Sequence, residues 1–290
     1  MSFSKDLKQE LSKINNLVKK DQVKYELIGY LVSVNSTIDN KGLIRYATEN
    51  EYNINRFSKL LNNMKYDYKI EMEGKTFVIK FLLNNNDNIY IKDNELFIER
   101  EENLQEELKK CLIRGVFLGA GSINNPNNKY HLEIVFSNKE NAQYVICLLN
   151  EFGFNFKMLN SQKKNSIYIK EGEEISNFLA LIGANSAVLK FEDIRIRREM
   201  RGKVNRLVNC KSANLNKTIN ASIEQIEAIK KLQKNKKFNK LDDNLKEIAI
   251  LRLENPDMSL IELGRLLKEP VGKSGVNYRL KKIIELANEI

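Results

Sequence analysis

The sequence predicts an α+β chain of two tandem αββαββ repeats followed by an all-α C-terminal domain. Three observations predict it: an internal echo of a short apolar helix, the same order of hairpins and helix after each copy, and a purely helical periodicity beyond Phe191.

The echo pairs Leu27-Ile-Gly-Tyr-Leu-Val-Ser-Val-Asn-Ser36 with Ile113-Arg-Gly-Val-Phe-Leu-Gly-Ala-Gly-Ser122. Each copy sets two small residues four apart, Gly29 with Ser33 and Gly115 with Gly119. On a helix that spacing puts both on one face, where two backbones can approach closely. After Ser36 the sequence predicts a hairpin over Thr37 to Tyr46 turning at Asn40-Lys41-Gly42, then a helix over Ile54 to Met64. A second hairpin spans Tyr68 to Leu83 and turns at Glu73-Gly74. A polar insertion, Asn84 to Asn88, reads as a loop. After Ser122 come an alternating strand over Tyr130 to Ser137, a helix over Asn141 to Phe152, a hairpin over Phe154 to Lys170 and a helix over Glu173 to Leu181. Repeat boundaries are drawn at 1–105 and 106–192.

Beyond them lies a basic helical linker, 193–240. Ile196, Met200, Val204 and Leu207 form an apolar stripe there, with Arg195, Arg198, Arg201 and Arg206 away from its centre. Ile219, Ile223, Ile226 and Ile229 mark a further helix that ends before Lys234-Asn-Lys-Lys237. The charge is concentrated in this stretch. The net charge is +10, yet residues 1–190 carry 26 basic and 24 acidic side chains, 191–240 carry 14 and 5, and 241–290 carry 8 and 9. A localised basic excess points to a polyanion more firmly than net charge does.

Three helices are predicted in 241–290, near Asn244 to Glu254, Leu260 to Leu267 and Gly275 to Asn288. Ser259 is placed to cap the second and Pro270 to stop it, while Ser274 is expected to cap the third. Val276, Leu280, Ile283 and Ala287 define a buried face on the last helix. At ~100° per residue, Ser274, Tyr278, Lys281 and Lys282 then point outward, flanked by Asn277 and Arg279. Two short helices, a tight turn and a polar, basic, aromatic-bearing outer face are the parts of a helix-turn-helix. In that geometry Ser274, Asn277, Tyr278 and Lys281 face base edges, and Ser259, Lys273, Arg279 and Lys282 belong to the same DNA-facing surface, Lys273, Arg279 and Lys282 on phosphates. The competing reading is an ordinary three-helix cap with a solvated outer face.

Signals for other chemistry are weak. The three cysteines, Cys111, Cys147 and Cys210, are unpaired by spacing, so no disulfide framework or zinc ribbon is expected. Cys111 and Cys147 read as helix core, and the single histidine, His131, as a structural residue of an alternating strand. No cofactor, metal or small-molecule substrate is implied. The cysteine usage predicts a reducing, cytoplasmic compartment, a charged N-terminus without a long apolar run predicts no export and no membrane partner, and the expected DNA binding makes the protein nucleoid-associated.

The paired helices and their tandem layout resemble the LAGLIDADG helices of homing endonucleases over about residues 20–190. The resemblance implies a pseudo-two-fold saddle. In that family an acidic residue near the end of each helix holds divalent metal over the scissile phosphates; here those positions are Val34 and Ala120, neither of which can ligate Mg²⁺.

Four further stretches are long and unusual: Arg114-Gly-Val-Phe-Leu-Gly-Ala-Gly-Ser-Ile, Arg206-Leu-Val-Asn-Cys-Lys-Ser-Ala-Asn-Leu-Asn-Lys-Thr, Ser259-Leu-Ile-Glu-Leu-Gly-Arg-Leu-Leu and Lys273-Ser-Gly-Val-Asn-Tyr-Arg-Leu-Lys-Lys. Together they are similar to the bacterial WhiA family over essentially the full length. The resemblance implies a degenerate LAGLIDADG domain joined to a helix-turn-helix similar to sigma-factor region 4. It also implies a DNA-binding regulator of cell division, chromosome segregation or, in some lineages, sporulation. Tyr278 departs from the histidine common in that family, which bears on base preference. Three function classes stay open on the residues alone: a double-stranded-DNA-binding regulator without nuclease activity, a metal-dependent endonuclease using other acids, and a repeat domain that binds RNA polymerase or a division protein.

Overall fold

A computed structural model describes residues 2–15, 17–83, 88–161 and 164–289; of the polar loop expected at Asn84 to Asn88, all but Asn88 lie outside them. The chain divides into two compact units, Met1–Glu199 and Met200–Ile290.

The first unit opens with α1 (Phe3–Ser12), which no sequence signal had singled out. It buries Leu7 and Leu11. Its Glu10 carboxylate accepts the backbone N–H groups of Ser186 and Ala187 at 2.7 and 2.9 Å, the favourable placement of an anion at the start of a helix. The next helix, α2 (Lys20–Leu31), begins before and ends short of the expected span, so Val34 lies outside it. The hydroxyls of Ser33 and Ser36 both donate to the carbonyl of Tyr30, at 2.7 and 2.9 Å, and the Val34 N–H turns away to Val135 O at 3.3 Å. Competing side-chain hydrogen bonds of this kind end helices.

Both expected hairpins of the first repeat form. β1 (Ser36–Ile38) pairs antiparallel with β2 (Leu43–Thr48). The Asp39 side chain accepts from Lys41 N and Leu43 N, and Gly42 takes φ +79°, as the turn demands. α3 (Glu51–Asn63), capped by Asn50, lies between this hairpin and β3 (Tyr68–Glu73) with β4 (Thr76–Leu82). The sheet order is β1-β2-β4-β3. A third hairpin, β5 (Ile89–Lys92) with β6 (Glu95–Ile98), was not expected.

The second repeat copies the plan. α4 (Glu106–Ala120) leads into β7 (Gly121–Ile123), β8 (Leu132–Phe136), α5 (Lys139–Glu151), β9 (Lys157–Ser161) and β10 (Lys164–Ile169). Their order, β7-β8-β10-β9, matches that of the first sheet. The unexpected β6 is pinned to this repeat by two asparagines. Asn141 accepts from Ile98 N and donates to Leu96 O, and Asn138 donates to the same carbonyl while capping α5.

At the centre α2 packs on α4 through the small residues. A Cβ added at Gly29 would stand 2.3 Å from Leu112 O, and one at Gly115 would stand 2.0 Å from Glu26 O. Backbone therefore meets backbone, and any larger side chain would force the helices apart. Buried across this seam, Glu26 pairs with Arg56 (Nε to Oε1, 2.7 Å) and with Arg114 (Nε to Oε2, 3.0 Å). Cys111 is buried beside them, but Cys147 is exposed, contrary to expectation. The buried stripe of α5 runs through Ala142, Val145, Leu148 and Leu149, which turns residue 147 outward. His131 directly precedes β8; its carbonyl accepts from Asn124 N at 2.9 Å and its ring lies 5.8 Å from that of Tyr168.

After α6 (Gly172–Leu181) a single helix, α7 (Asn185–Lys234), replaces the two expected in the linker. No proline interrupts it. The boundary between the two units falls within it. The apolar stripe of Ile196, Met200, Val204 and Leu207 is exposed, and so are Ile219 and Ile223. Burial on α7 is confined to its ends: Ala187 and Phe191 at one, and Ser222, Gln225, Ala228, Ile229 and Leu232 at the other.

The second unit continues through a 3₁₀ turn (Phe238–Lys240) into α8 (Asp243–Glu254), α9 (Leu260–Leu266) and α10 (Lys273–Asn288). Its separate core joins Ile229 and Leu232 to Leu245, Ile248, Leu263, Val276, Leu280 and Ile283.

Candidate nucleic-acid interface

The interface is assembled from α8, α9 and α10. Leu245, Ile248, Ala249 and Arg252 face inward from α8 at helical spacing. α9 starts at a capping box: Glu262 N donates to Ser259 Oγ at 3.4 Å, and Ser259 N donates to the Glu262 carboxylate at 2.8 Å. These bonds hold the Glu262 carboxyl below the ordinary carboxylate pKa. Ser259 therefore serves as the expected cap, and its hydroxyl oxygen is engaged within the chain.

The turn after α9 depends on Gly264. A Cβ there would stand 2.2 Å from Val271 O, while Val271 N donates to Gly264 O at 3.1 Å. The Glu247 carboxylate accepts from Lys268 N at 2.7 Å and ties α8 to the same turn. This close return sets where α10 begins, two residues earlier than expected. Gly272 is the N-cap, with no side-chain cap bond, so Ser274 lies inside the helix with its side chain exposed. The sequence placed Ser274 at the cap because the backbone constraint from Gly264 is long-range.

α10 buries Val276, Leu280, Ile283 and Ala287. Ser274, Tyr278, Lys281 and Lys282 lie on its exposed face with Lys273, while Asn277 and Arg279 are half-buried at its flanks. Tyr278 is 68% exposed, a large aromatic ring held out on a helix whose other side is fully packed. Such a face presents hydrogen-bonding, cationic and stacking groups together, as base-edge and phosphate contacts require.

The linker arginines separate into two kinds. Arg195 pairs with Glu192 at 3.0 Å. Arg198 donates to Pro126 O at 2.6 Å and stacks its guanidinium 4.3 Å from the Tyr130 ring centroid. Arg201 and Arg206 are exposed. The structure does not bring all four into one free basic patch, because two of them are engaged within the first unit.

Among the described residues, three buried polar groups of the second unit, Ser222, Gln225 and Arg252, went unassigned in the sequence. Arg252 is 1% exposed and Gln225 is 5% exposed. Arg252 was legible as the last member of the inward stripe Leu245, Ile248, Ala249. Gln225 was hidden because the hydropathy of α7 assigned the buried face to Ile219 and Ile223.

In the first unit, the two positions that correspond to LAGLIDADG acids flank the helix ends. Val34 lies beyond α2 and Ala120 is the last residue of α4. The end of α4 is closed by donors: Asn35 Nδ2 reaches Gly119 O at 2.7 Å, and Asn53 Nδ2 and Lys8 Nζ reach Leu118 O at 2.6 and 3.4 Å. Burial pulls the Lys8 ammonium down to about 8. Among the described residues no group of three or more His, Cys, Asp or Glu is placed to hold a metal ion. Likewise, no helix of the described residues is long and apolar enough to cross a membrane.

A family model of the WhiA C-terminal HTH domain matches residues 204–287, and one of the WhiA LAGLIDADG-like domain matches residues 109–201. The probable cell division protein WhiA of Clostridium tetani is 38% identical over 314 residues, which cover 100% of this chain and 98% of that protein. The chain belongs to the WhiA family. A WhiA relative of Clostridium botulinum is 39% identical over 318 residues, covering 100% of this chain and 99% of its own. The crystal structure of full-length WhiA from Thermatoga maritima matches with a TM-score of 0.65 at 28% identity, covering 100% of this chain and 99% of that one. The N-terminal LAGLIDADG domain of WhiA, solved alone, gives a TM-score of 0.54 at 24% identity over 63% of this chain and 92% of that one, a likeness of fold. The family architecture is thus a LAGLIDADG-like domain followed by a helical HTH domain.

Proposed function

We propose that this WhiA-family chain is a sequence-specific DNA-binding regulator of transcription without nuclease activity. It acts in cell division and chromosome segregation, with sporulation in some lineages, and works in the cytoplasm on the nucleoid. The observation that carries this reading is α10: one side is wholly buried, and the other offers Ser274, Tyr278, Lys281 and Lys282 to solvent. Ser274, Asn277, Tyr278 and Lys281 read base edges. Lys273, Arg279 and Lys282 hold phosphates beside them, on the face to which Ser259 also belongs. The linker arginines supply salt-dependent affinity, through Arg201 and Arg206 more than through Arg195 and Arg198. We draw the functional segments at 1–105 and 106–192 for the repeats, 193–240 for the linker and 241–290 for the reader. The near-neutral repeats serve as the docking part for RNA polymerase or a division protein.

The test uses sites recovered by genome-wide crosslinking. Lys281→Ala is expected to weaken binding to such a site by about tenfold, the size of one lost base contact, and to leave a random duplex nearly unchanged. Equal losses on both would remove α10 as the reader. Supercoiled plasmid incubated with Mg²⁺ or Mn²⁺ is expected to stay intact, and a nick that a chelator abolishes would overturn the non-enzymatic part of the reading.

A further inference from the structure

A cavity of about 240 Å³ opens in the second unit beside the start of α10, lined by Lys217, Thr218, Gln225, Arg252, Ser259 and Lys273 among others. We propose that it is a phosphate pocket, with the buried Arg252 guanidinium as its fixed charge and the Gln225 amide in its wall.

The first support is an uncompensated charge. Arg252 Nη1 donates to the carbonyls of Asn255, Pro256 and Met258 at 3.4, 3.2 and 2.8 Å, whereas its Nε has no acceptor. No carboxylate pairs with it among the described residues. A guanidinium taken out of water without an anion is costly, and the penalty falls when an anion fills the site. Burial accordingly pulls its pKa below the ordinary arginine value.

The second support is independent of the first. Gln225 occupies the buried side of α7 while Ile219 and Ile223 face solvent, the reverse of what hydropathy favours. Its Oε1 is buried and accepts no hydrogen bond. A polar amide held at this buried position lines the cavity with a hydrogen-bonding group rather than with hydrocarbon. Ser222, one turn away, is fixed by its bond to Pro256 O at 2.6 Å, so the wall itself is rigid.

Size and rim select the ligand. The cavity holds roughly eight waters' volume and falls below the ~300 Å³ at which small-molecule sites begin, so one phosphate group fits and a whole nucleotide does not. Lys217 and Lys273 add two ammonium groups, which suit phosphate, while the Thr218 hydroxyl is spent on Asn214 O at 3.0 Å. Because Lys273 and Asn277 line the cavity and also lie on α10, a backbone phosphate of bound duplex is the natural source. That last step rests on the DNA-binding reading above, whereas the anion site does not.

The experiment compares full-length wild type with Gln225→Glu, which sets an internal carboxylate beside Arg252. Binding of a fluorescent random-sequence duplex is followed by anisotropy across a salt series. Thermal melting is followed in inorganic phosphate against chloride at matched ionic strength. The variant is expected to melt no lower than wild type, to bind duplex about tenfold more weakly, and to lose about one unit of salt slope, one phosphate contact's share. If Gln225→Glu melts lower, Lys217→Ala, an exposed rim change, carries the same comparison.

Weaker duplex binding without phosphate stabilisation of wild type identifies the occupant as backbone phosphate. Stabilisation of wild type by phosphate that the variant loses, at unchanged duplex affinity, identifies free phosphate. Equal duplex binding and equal phosphate response overturn the pocket. A wild type that binds no duplex at all would sink the DNA-binding reading and leave the phosphate arm to decide this one.

Discussion

Glu26 is the residue on which the first unit's interior charge balance turns. It is 0% exposed, and two guanidinium groups, from Arg56 on α3 and Arg114 on α4, converge on its carboxylate. Arg56 also donates to Ile14 O at 2.6 Å, and Arg114 donates to Ile182 O and to Cys111 Sγ. One carboxylate therefore neutralises charge contributed by both repeats. Removing it takes the shared carboxylate from two buried guanidinium groups, which is far more costly than the pair is worth on balance. Glu26→Gln is expected to lower the unfolding free energy of the first unit by about 3–5 kcal/mol in urea titrations. A loss below about 1 kcal/mol would mean that water reaches the site and screens it. The sequence concealed this cluster because its members lie far apart in the chain, and a lone Glu among Tyr25 and Leu27 carries no periodic signal.

At the scale of elements, legibility followed local constraint. The hairpin turns at Gly42 and Gly74 and the buried face of α10 were readable, since each depends on neighbours within one turn of chain. The β5–β6 hairpin was not, because it is fixed by Asn138 and Asn141 some forty residues on. The buried side of α7 was misread for the opposite reason: a Ser and a Gln occupy inward positions that hydropathy gives to Ile. The echo of small residues was legible and also structurally decisive. Gly115→Ala places a methyl 2.0 Å from Glu26 O, a backbone atom that cannot swing aside. It is expected to destabilise the first unit by about 3 kcal/mol, the upper end for overpacking. Gly202→Ala on α7 is the matched control, with only the far end of Arg206 near its added carbon, at 3.6 Å. There the gain in helix propensity is up to about 1 kcal/mol. Similar melting of the two variants would show that α2 and α4 can separate without cost.

Across the whole molecule, charge and structure are partitioned differently. The basic excess lies in residues 191–240, with 14 basic and 5 acidic side chains, but the boundary between compact units cuts through that stretch at Glu199. Arginines before the cut are partly consumed as structural groups, as Arg198 is by Pro126 O and the Tyr130 ring. Those after it, Arg201 and Arg206, remain exposed. A counterion-release interface needs cations that are free to meet phosphates, so the two classes should differ in salt dependence. Replacing Arg201 and Arg206 together by Gln is expected to weaken cognate and random duplexes by the same factor and to reduce the salt slope by roughly 1.8. Arg198→Gln is expected instead to lower the melting temperature of the first unit, through a lost cation–π contact and a lost charge-assisted hydrogen bond, with little change in slope. Anisotropy titrations over a salt series, read beside thermal melts, separate the two. If Arg198→Gln flattens the slope as much as the double variant does, Arg198 leaves its contacts with Pro126 and Tyr130 when DNA binds, and affinity is drawn from both sides of the boundary.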